Sequence, residues 1–500
     1  LSIQLAKLRP WQQAPAQQLF ELLRSGQNCV DTSDCGVGKT YVAAAIAAAM
    51  QVPTLVACPK IAVSQWHDAA AYFGDSLSVI SHELLRSGNS PFGYWDKPLP
   101  ADASDREFFQ CQICQCKVDF ENFFGCHCHP SGTHCIVSKK KPHRYGRFNF
   151  ASQIQFLIVD EIHKFNAPDS LNCDVLIGAR RQNIPTLGLS ATLGSSPLHF
   201  RGLGYLLGLH NLHDFRRWAG RYKVRPDLGT PGKPLKWWAG EAEQSSIMRN
   251  IRAEIIPSRG VRIRKDEIPN FPQVEISAEL FDLDCAGQIE KIYQDMAAAL
   301  TQLTDRAALD IDPESAITTM LRANQRVELL KVPMAVELAS KYVEQGFSIG
   351  IFCNFQQTID ELSKRLNTEC IVSGKHMVYR QQNIADFQEH RSRLILVNNA
   401  AGSAALSLPD LDGNHPRGGL IFPSFKAVDI QQVVGRFPRE SSKSRSWYRV
   451  LLAAGTGDVK IHRILRAKLN NLASLNDGDL QPGNLNFDNC RSLGHYSICQ

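Results

Sequence analysis

Ser33 to Thr40 reads SDCGVGKT, and its closing Gly38-Lys39-Thr40 triplet carries the residue types that grip a phosphate chain. Backbone N–H groups of a tight turn, here with Gly36 and Gly38, form a concave anion site when a helix N-terminus backs them. A lysine then reaches the outer phosphates and a hydroxyl holds Mg2+, roles that fall to Lys39 and Thr40. The usual pattern opens with glycine where this chain has Ser33, so the flanking sequence must share the burden of the assignment. Far downstream, Asp160-Glu161-Ile162-His163 supplies two adjacent carboxylates. Asp160 can hold Mg2+ through water, and Glu161 can orient and deprotonate an attacking water. Gln432 to Arg439 (QVVGRFPR) places Arg436 and Arg439 one helical turn apart, where two guanidiniums can neutralise charge developing on a γ-phosphate. These groups together spell ATP hydrolysis assisted by Mg2+.

The elements needed to position them are legible around each motif. Asn28 to Thr32 reads as a short strand and Tyr41 to Met50 (YVAAAIAAAM) as an alanine-rich helix, giving the strand, loop and helix that a phosphate loop requires. Pro53 to Lys60 reads as a buried strand followed by a helix opening at Ile61 to Trp66. Gln155 to Val159 (QFLIV) is another buried strand, and it delivers the carboxylate pair at its C-terminal end, the edge where open parallel sheets bind ligands. Thr186 to Ser190 predicts a further strand, ending in Ser190-Ala191-Thr192. From His199 to Arg326 the alternation lapses, and it resumes near Leu330. There Ala335, Leu338, Ala339 and Tyr342 share a helical face with Gly346 as C-cap, followed by strands at 348–353, 370–372, 394–397, 419–422 and 447–451. The fold class is α/β, in two blocks.

Several of these stretches resemble superfamily-two helicases. Leu8-Arg9-Pro10-Trp11-Gln12 is similar to the element that precedes their phosphate loop, which gives Gln12 the role of reading the adenine edge. Leu55 to Trp66 (LVACPKIAVSQW) is very similar to the second motif of Swi/Snf-type DNA translocases. Ser190-Ala191-Thr192 resembles the element that links nucleotide site and nucleic-acid track through His163. Asn399 to Leu406 resembles a loop touching both nucleotide and backbone, with Gly402 and later Gln432 on the nucleotide side, although several of the family's glycines are Ser or Ala here. Val261 to Lys265, Ile268 to Pro272, Val274 to Leu283 and Ile289 to Tyr293 resemble the Swi/Snf stretch between lobes, and Gly455 to Lys468 the closing helix of that family, with Asp458 where the family has Glu.

The resemblance implies two RecA-like lobes with parallel sheets: 1–198 as the ATP-binding lobe, 199–329 as a helical inter-lobe region, 330–475 as the second lobe and 476–500 as a tail. It implies an ATP-dependent DNA translocase or helicase with duplex DNA as partner. An RNA-acting DExH helicase is the alternative within the class, and a zinc-bearing nucleic-acid-binding protein with an inactive ATPase fold is the alternative outside it.

Six of the 15 cysteines lie between Cys111 and Cys135, inside an expected insertion at 105–147. Cys111-x2-Cys114 has zinc-knuckle spacing, and Cys126 and Cys135 complete our choice of four ligands, with Cys128 and His129 as substitutes. A cytosolic chain favours Zn2+ over disulfides. The net charge of +6 suits an anionic partner. Lys139 to Lys141 with His143, Arg144 and Arg147 form one basic cluster; Arg216, Arg217, Arg221, Lys223 and Arg225, interleaved with Trp218 and Tyr222, form another. Each reads equally as a solvated face or as a phosphate-binding patch. No apolar run approaches the roughly 20 residues of a membrane span, and the first residues lack a secretory apolar core. The expected location is cytoplasmic, in a bacterial or phage-infected cell, or nuclear in a eukaryote.

Overall fold

The computed structural model describes residues 3–96, 108–111, 117–118, 137–140, 147–226, 235–306, 313–373, 379–399, 406–423, 430, 433–459, 485–486 and 493–496. Two parallel sheets organise them. From edge to edge the first runs Gly260–Val261, Cys29–Asp31, Thr186–Leu189, Phe156–Asp160, Thr54–Cys58 and Ser78–Ser81, every pair parallel. Its strands are near-continuous apolar runs because helices cover both faces. Successive side chains of a strand point to opposite faces. Accordingly Phe156 and Ile158 join one core with Leu19, Val42, Ile46 and Trp66, while Leu157 and Val159 join another with Leu176, Phe200, Trp218 and Met248. The helix Lys39–Met50 is buried along Val42 to Ala47. Alanine makes that feasible, since it costs no side-chain entropy and lets neighbouring helices and sheet approach closely.

The second sheet runs Ile371–Val372, Leu394–Asn398, Ser348–Cys353, Arg417–Ile421, Ser446–Ala453 and Val274–Leu283, with Leu485–Asn486 and Leu493–Tyr496 on the outer strand. All its pairs are parallel. Its core gathers Ile349, Ile351, Phe352, Val397, Leu420 and Val450 with Ala335, Leu338, Ile359 and Leu362 from the covering helices.

The stretch 199–329, expected as a helical inter-lobe region, is divided between the two sheets. Helices Phe200–Leu206, Phe215–Arg221 and Glu241–Ile255 bury Phe200, Trp218, Met248 and Ile251 in the first core. Gly260–Val261 then pairs with Cys29–Asp31. Val274–Leu283 belongs to the second sheet, in register with Ser446–Ala453 from Val274↔Ser446 to Phe281↔Ala453. Helices Ala286–Arg306 and Pro313–Leu330 follow, with Ile289, Tyr293 and Val327 in the second core. Strand–helix alternation, the signal that marks lobes in the sequence, is local, whereas both of these strand pairings join distant segments.

Between the first-lobe strands an antiparallel ribbon of Gly93–Trp95 and Phe148–Phe150 brackets the cysteine-rich stretch, with the Trp95 and Phe148 rings 5.2 Å apart. Phe108–Cys111, Lys117–Val118 and Val137–Lys140 form a three-stranded antiparallel sheet within it. Cys111 ends one of these strands; Cys114, Cys126 and Cys135 lie outside the described residues. Among the described residues no helix is long and apolar enough to cross a membrane.

Candidate active site

The strand Cys29–Asp31 runs into the phosphate loop, and the loop into the helix that opens at Lys39. Gly36 and Gly38 stand at φ 92° and 91°, a left-handed conformation that costs glycine little. Space demands glycine as well: a Cβ at Gly36 would lie 2.7 Å from Arg439 Nη1, and one at Gly38 2.2 Å from Gln12 Nε2. Ser33 has no such requirement. Its Oγ accepts the Ile263 N–H at 2.8 Å and its own N–H donates to Asp31 Oδ1 at 2.9 Å, so a hydroxyl does structural work where the usual pattern has glycine. The neighbouring Asp34 accepts from Arg262 Nη2 at 2.7 Å and from the Lys265 N–H at 3.1 Å. The loop is therefore clamped by the segment 261–265, which leaves the first sheet toward the second.

Lys39 Nζ donates to the Ser33 and Asp34 carbonyls at 2.7 and 3.0 Å. Gln12, expected at an adenine edge, holds its Oε1 on the Arg9 N–H at 3.0 Å and donates from Nε2 to the Val37 carbonyl at 2.8 Å. It ties the first helix to the phosphate loop.

Asp160 and Glu161 end the strand Phe156–Asp160 beside this loop. The Asp160 carboxylate accepts Trp66 Nε1 at 3.0 Å on Oδ2 and the Glu161 N–H at 2.9 Å on Oδ1. Burial, then the negative charge of Glu161, pushes the Asp160 carboxyl above the ordinary carboxylate range, against the pull of Trp66 and Lys39. Glu161 takes φ 51°, which turns the chain sharply at the strand end. Burial opposes its charge too, but the His163 hydrogen bond and the charges of His163, Lys39 and Arg436 together hold Glu161 well below the ordinary range. The two carboxyls are thus driven apart, one toward holding its proton and one toward losing it.

His163 Nδ1 stands 3.3 Å from Glu161 Oε2 and 2.9 Å from Ser190 Oγ. Ser190 Oγ donates to the Thr192 carbonyl at 2.7 Å, which commits the hydroxyl hydrogen. That network assigns the ring proton to Nδ1, shared between Ser190 and Glu161. The Ser190-Ala191-Thr192 turn is in this way joined to the carboxylate through one imidazole.

Arg436 and Arg439 approach from the second sheet. They do not sit on one turn of a continuous helix as the spacing suggests: the helical backbone stops after Val434. Pro438 cannot donate an N–H and disfavours helical backbone at Phe437. Arg436 Nη1 donates to the Leu406 carbonyl at 3.2 Å. Arg439 donates to Ser407 Oγ at 3.0 Å and to the Leu406 carbonyl at 3.2 Å, and its guanidinium lies against Gly36. Burial lowers the pKa of both guanidiniums, and Arg436 repels Arg439 further. The partners of Lys39 and Arg439 among the described residues are carbonyl and hydroxyl oxygens, not carboxylates. Two mutually repelling guanidiniums facing a glycine turn and a lysine fit a polyanion, and Thr40 with Asp160 fits its divalent cation.

Gly402 and Gln432 lie outside the described residues, whereas Asn399, ahead of Gly402, donates to Asn354 Oδ1 at 2.9 Å. In the basic cluster Arg216, Arg217, Arg221, Lys223 and Arg225 are exposed, but Trp218 and Tyr222 are core residues. Trp218 packs beside Phe215, and the Tyr222 hydroxyl donates to Glu254. Sequence reading gave no role to Trp66, Arg262 or Ser407; a lone arginine in a basic run and a serine in a loop carry no signal by type.

The family model described as the res subunit of type III restriction enzymes matches residues 5–195. A protein of Acanthamoeba polyphaga mimivirus, provisionally named an ATP-dependent RNA helicase, is 29% identical over 490 residues, covering 95% of this chain and 85% of that protein. Among solved structures, S. cerevisiae Dbp5 bound to RNA and ADP BeF3 aligns at 11% identity and TM-score 0.44, covering 92% of this chain and 91% of that one. The Sulfolobus solfataricus SWI2/SNF2 ATPase core in complex with dsDNA aligns at 15% identity and TM-score 0.33, covering 94% and 93%. The phosphate loop and the Asp160-Glu161 pair lie inside the family match and the mimiviral relative spans nearly the whole chain, which supports the resemblance to superfamily-two helicases.

Proposed function

We propose that the cleft hydrolyses ATP to drive the chain along duplex DNA. The observation that carries the reading is the approach of Arg439, from one sheet, to Gly36 of the phosphate loop on the other, with Glu161 close enough to feel Arg436. A site completed by two lobes couples hydrolysis to their relative motion. Bound Mg2+ and ATP would supply a polarised terminal phosphate. In this assignment Lys39 and the loop N–H groups hold the phosphates, Thr40 and Asp160 hold the cation, and Gln12 holds the loop against the first helix. Glu161, kept ionised by His163, accepts the proton of the attacking water, and Arg436 and Arg439 stabilise the charge that develops.

The choice of duplex DNA rests on LVACPKIAVSQW and the Arg436/Arg439 element, the most Swi/Snf-like parts of the chain. Arg216, Arg217 and Arg225 are exposed, form no ion pair among the described residues and offer contacts to phosphates. RNA is the second reading, favoured by the name of the mimiviral relative. The cysteine-rich insertion is read as a zinc site on Cys111, Cys114, Cys126 and Cys135, from their spacing.

ATPase assays with duplex DNA, single-stranded DNA and RNA discriminate. Duplex DNA should stimulate most, with little sequence preference, steep loss on added salt and efficient displacement of a third strand from a triplex. Stronger stimulation by RNA, without triplex displacement, would select the second reading.

A further inference from the structure

His390, Asp412 and His415 meet on the second lobe and share no residue with the ATP site. His390 follows the helix Arg380–Gln388, and the other two lie on the loop that leads into the strand Arg417–Ile421. One carboxylate oxygen faces both rings: Asp412 Oδ2 is 3.2 Å from His390 Nε2 and 3.6 Å from His415 Nδ1. The rings stack with centroids 3.8 Å apart and planes 25° apart, which sets their nitrogen edges side by side. All three ligand-type atoms lie within 4.8 Å of one another.

Ordinary hydrogen bonding leaves this cluster incomplete. His415 Nδ1 is buried and, among the described residues, has no hydrogen-bond partner, although it faces the carboxylate. A tetrahedral centre with bonds of about 2.0 Å has ligand-to-ligand edges of about 3.3 Å, close to both measured separations. Two imidazoles and one carboxylate are borderline ligands suited to Zn2+ and its neighbours, whereas Mg2+ prefers oxygen donors. Asp412 is exposed, so a metal has a path of entry and water a place as the remaining ligand.

We propose that His390 Nε2, Asp412 Oδ2 and His415 Nδ1 bind a divalent transition metal of the zinc type. Bound there, it staples the turn after residue 388 to the loop 410–416, two connections of the second sheet that are distant in sequence. The site is separate from the zinc reading of the cysteine-rich insertion, and its chemistry allows the two to be told apart.

The test uses the full-length protein, stripped with a chelator and titrated with Zn2+ or Co2+ alone. Wild type should bind one equivalent more than His415→Ala and Asp412→Asn. Affinity for that equivalent should fall by more than about 100-fold in either variant, beyond what loss of a supporting partner costs. The Co2+ difference spectrum between wild type and variant should show d–d bands without a thiolate charge-transfer band. Basal ATPase should be unchanged, which certifies folding; if His415→Ala fails to fold, the near-isosteric Asp412→Asn decides. Equal metal content in wild type and variants, or a lost equivalent that carries a thiolate band, would overturn the site.

Discussion

Trp66 Nε1 donates to Asp160 Oδ2 at 3.0 Å, so a fully buried indole from the helix Val63–Tyr72 aims the first carboxylate of the Asp160-Glu161 pair. Trp66→Phe keeps most of the packing and removes that donor. A hydrogen bond to a charged group contributes about 1.5–3 kcal/mol, so kcat/KM at limiting Mg2+ should fall roughly 10- to 100-fold. The same variant should need more Mg2+ for half-maximal rate, and a Mg2+ titration of ATPase activity checks both. Asp160 is already raised by burial, so the native state holds its proton more tightly than the unfolded chain does. Its contribution to stability is full below the unfolded pKa and lost as pH rises through the folded one.

Glu161 has the opposite sign. Its folded pKa is lowered, so its contribution is present above the unfolded value and lost as pH falls through the folded one. His163→Ala removes two of the causes that lower it. The acid limb of kcat/KM should therefore move to higher pH, with a smaller change on the plateau. A uniform drop at every pH would assign His163 to another task. Glu161→Gln should retain ATP binding and lose about 10²- to 10⁴-fold in turnover, measured by nucleotide binding beside hydrolysis.

Ser33→Gly restores the usual motif and should nevertheless weaken the protein. It deletes the acceptor of the Ile263 N–H and adds backbone freedom to the unfolded chain. A loss of about 1–3 kcal/mol is expected by denaturant unfolding. Gly36→Ala should instead act on catalysis, because φ 92° strains the alanine and its Cβ meets Arg439 Nη1.

Lys331 and Asp458 form a fully buried ion pair in the second lobe, with Tyr293 donating to Asp458 Oδ1 at 2.7 Å. Removing one partner strands the other charge in the core. Lys331→Met or Asp458→Asn should each cost about 3–5 kcal/mol, and the double variant less than their sum. Chemical denaturation followed by tryptophan fluorescence reads this directly.

The local half of this protein was legible in its residues. Gly36 to Thr40 and Asp160-Glu161 could be placed because strand, loop and helix are contiguous, and periodicities of 2.0 and 3.6 residues report on neighbours in the chain. That same locality hid the rest. Ser33 departs from the usual motif by type, and only the fold brings the Ile263 N–H to it; Val274–Leu283 lies in the stretch expected between the lobes, and only the fold pairs it with Ser446–Ala453. Trp66 carried a family resemblance but no role, since only folding brings its indole to Asp160. The spacing of Arg436 and Arg439 suggested a helical turn, but Pro438 ends the helix and the approach of Arg439 to Gly36 depends on how two sheets meet. The sequence thus determined the strand or loop that carries each candidate group. Tertiary structure decided which groups touch, because hydrogen bonds and burial act over ångströms in space, whatever the distance along the chain.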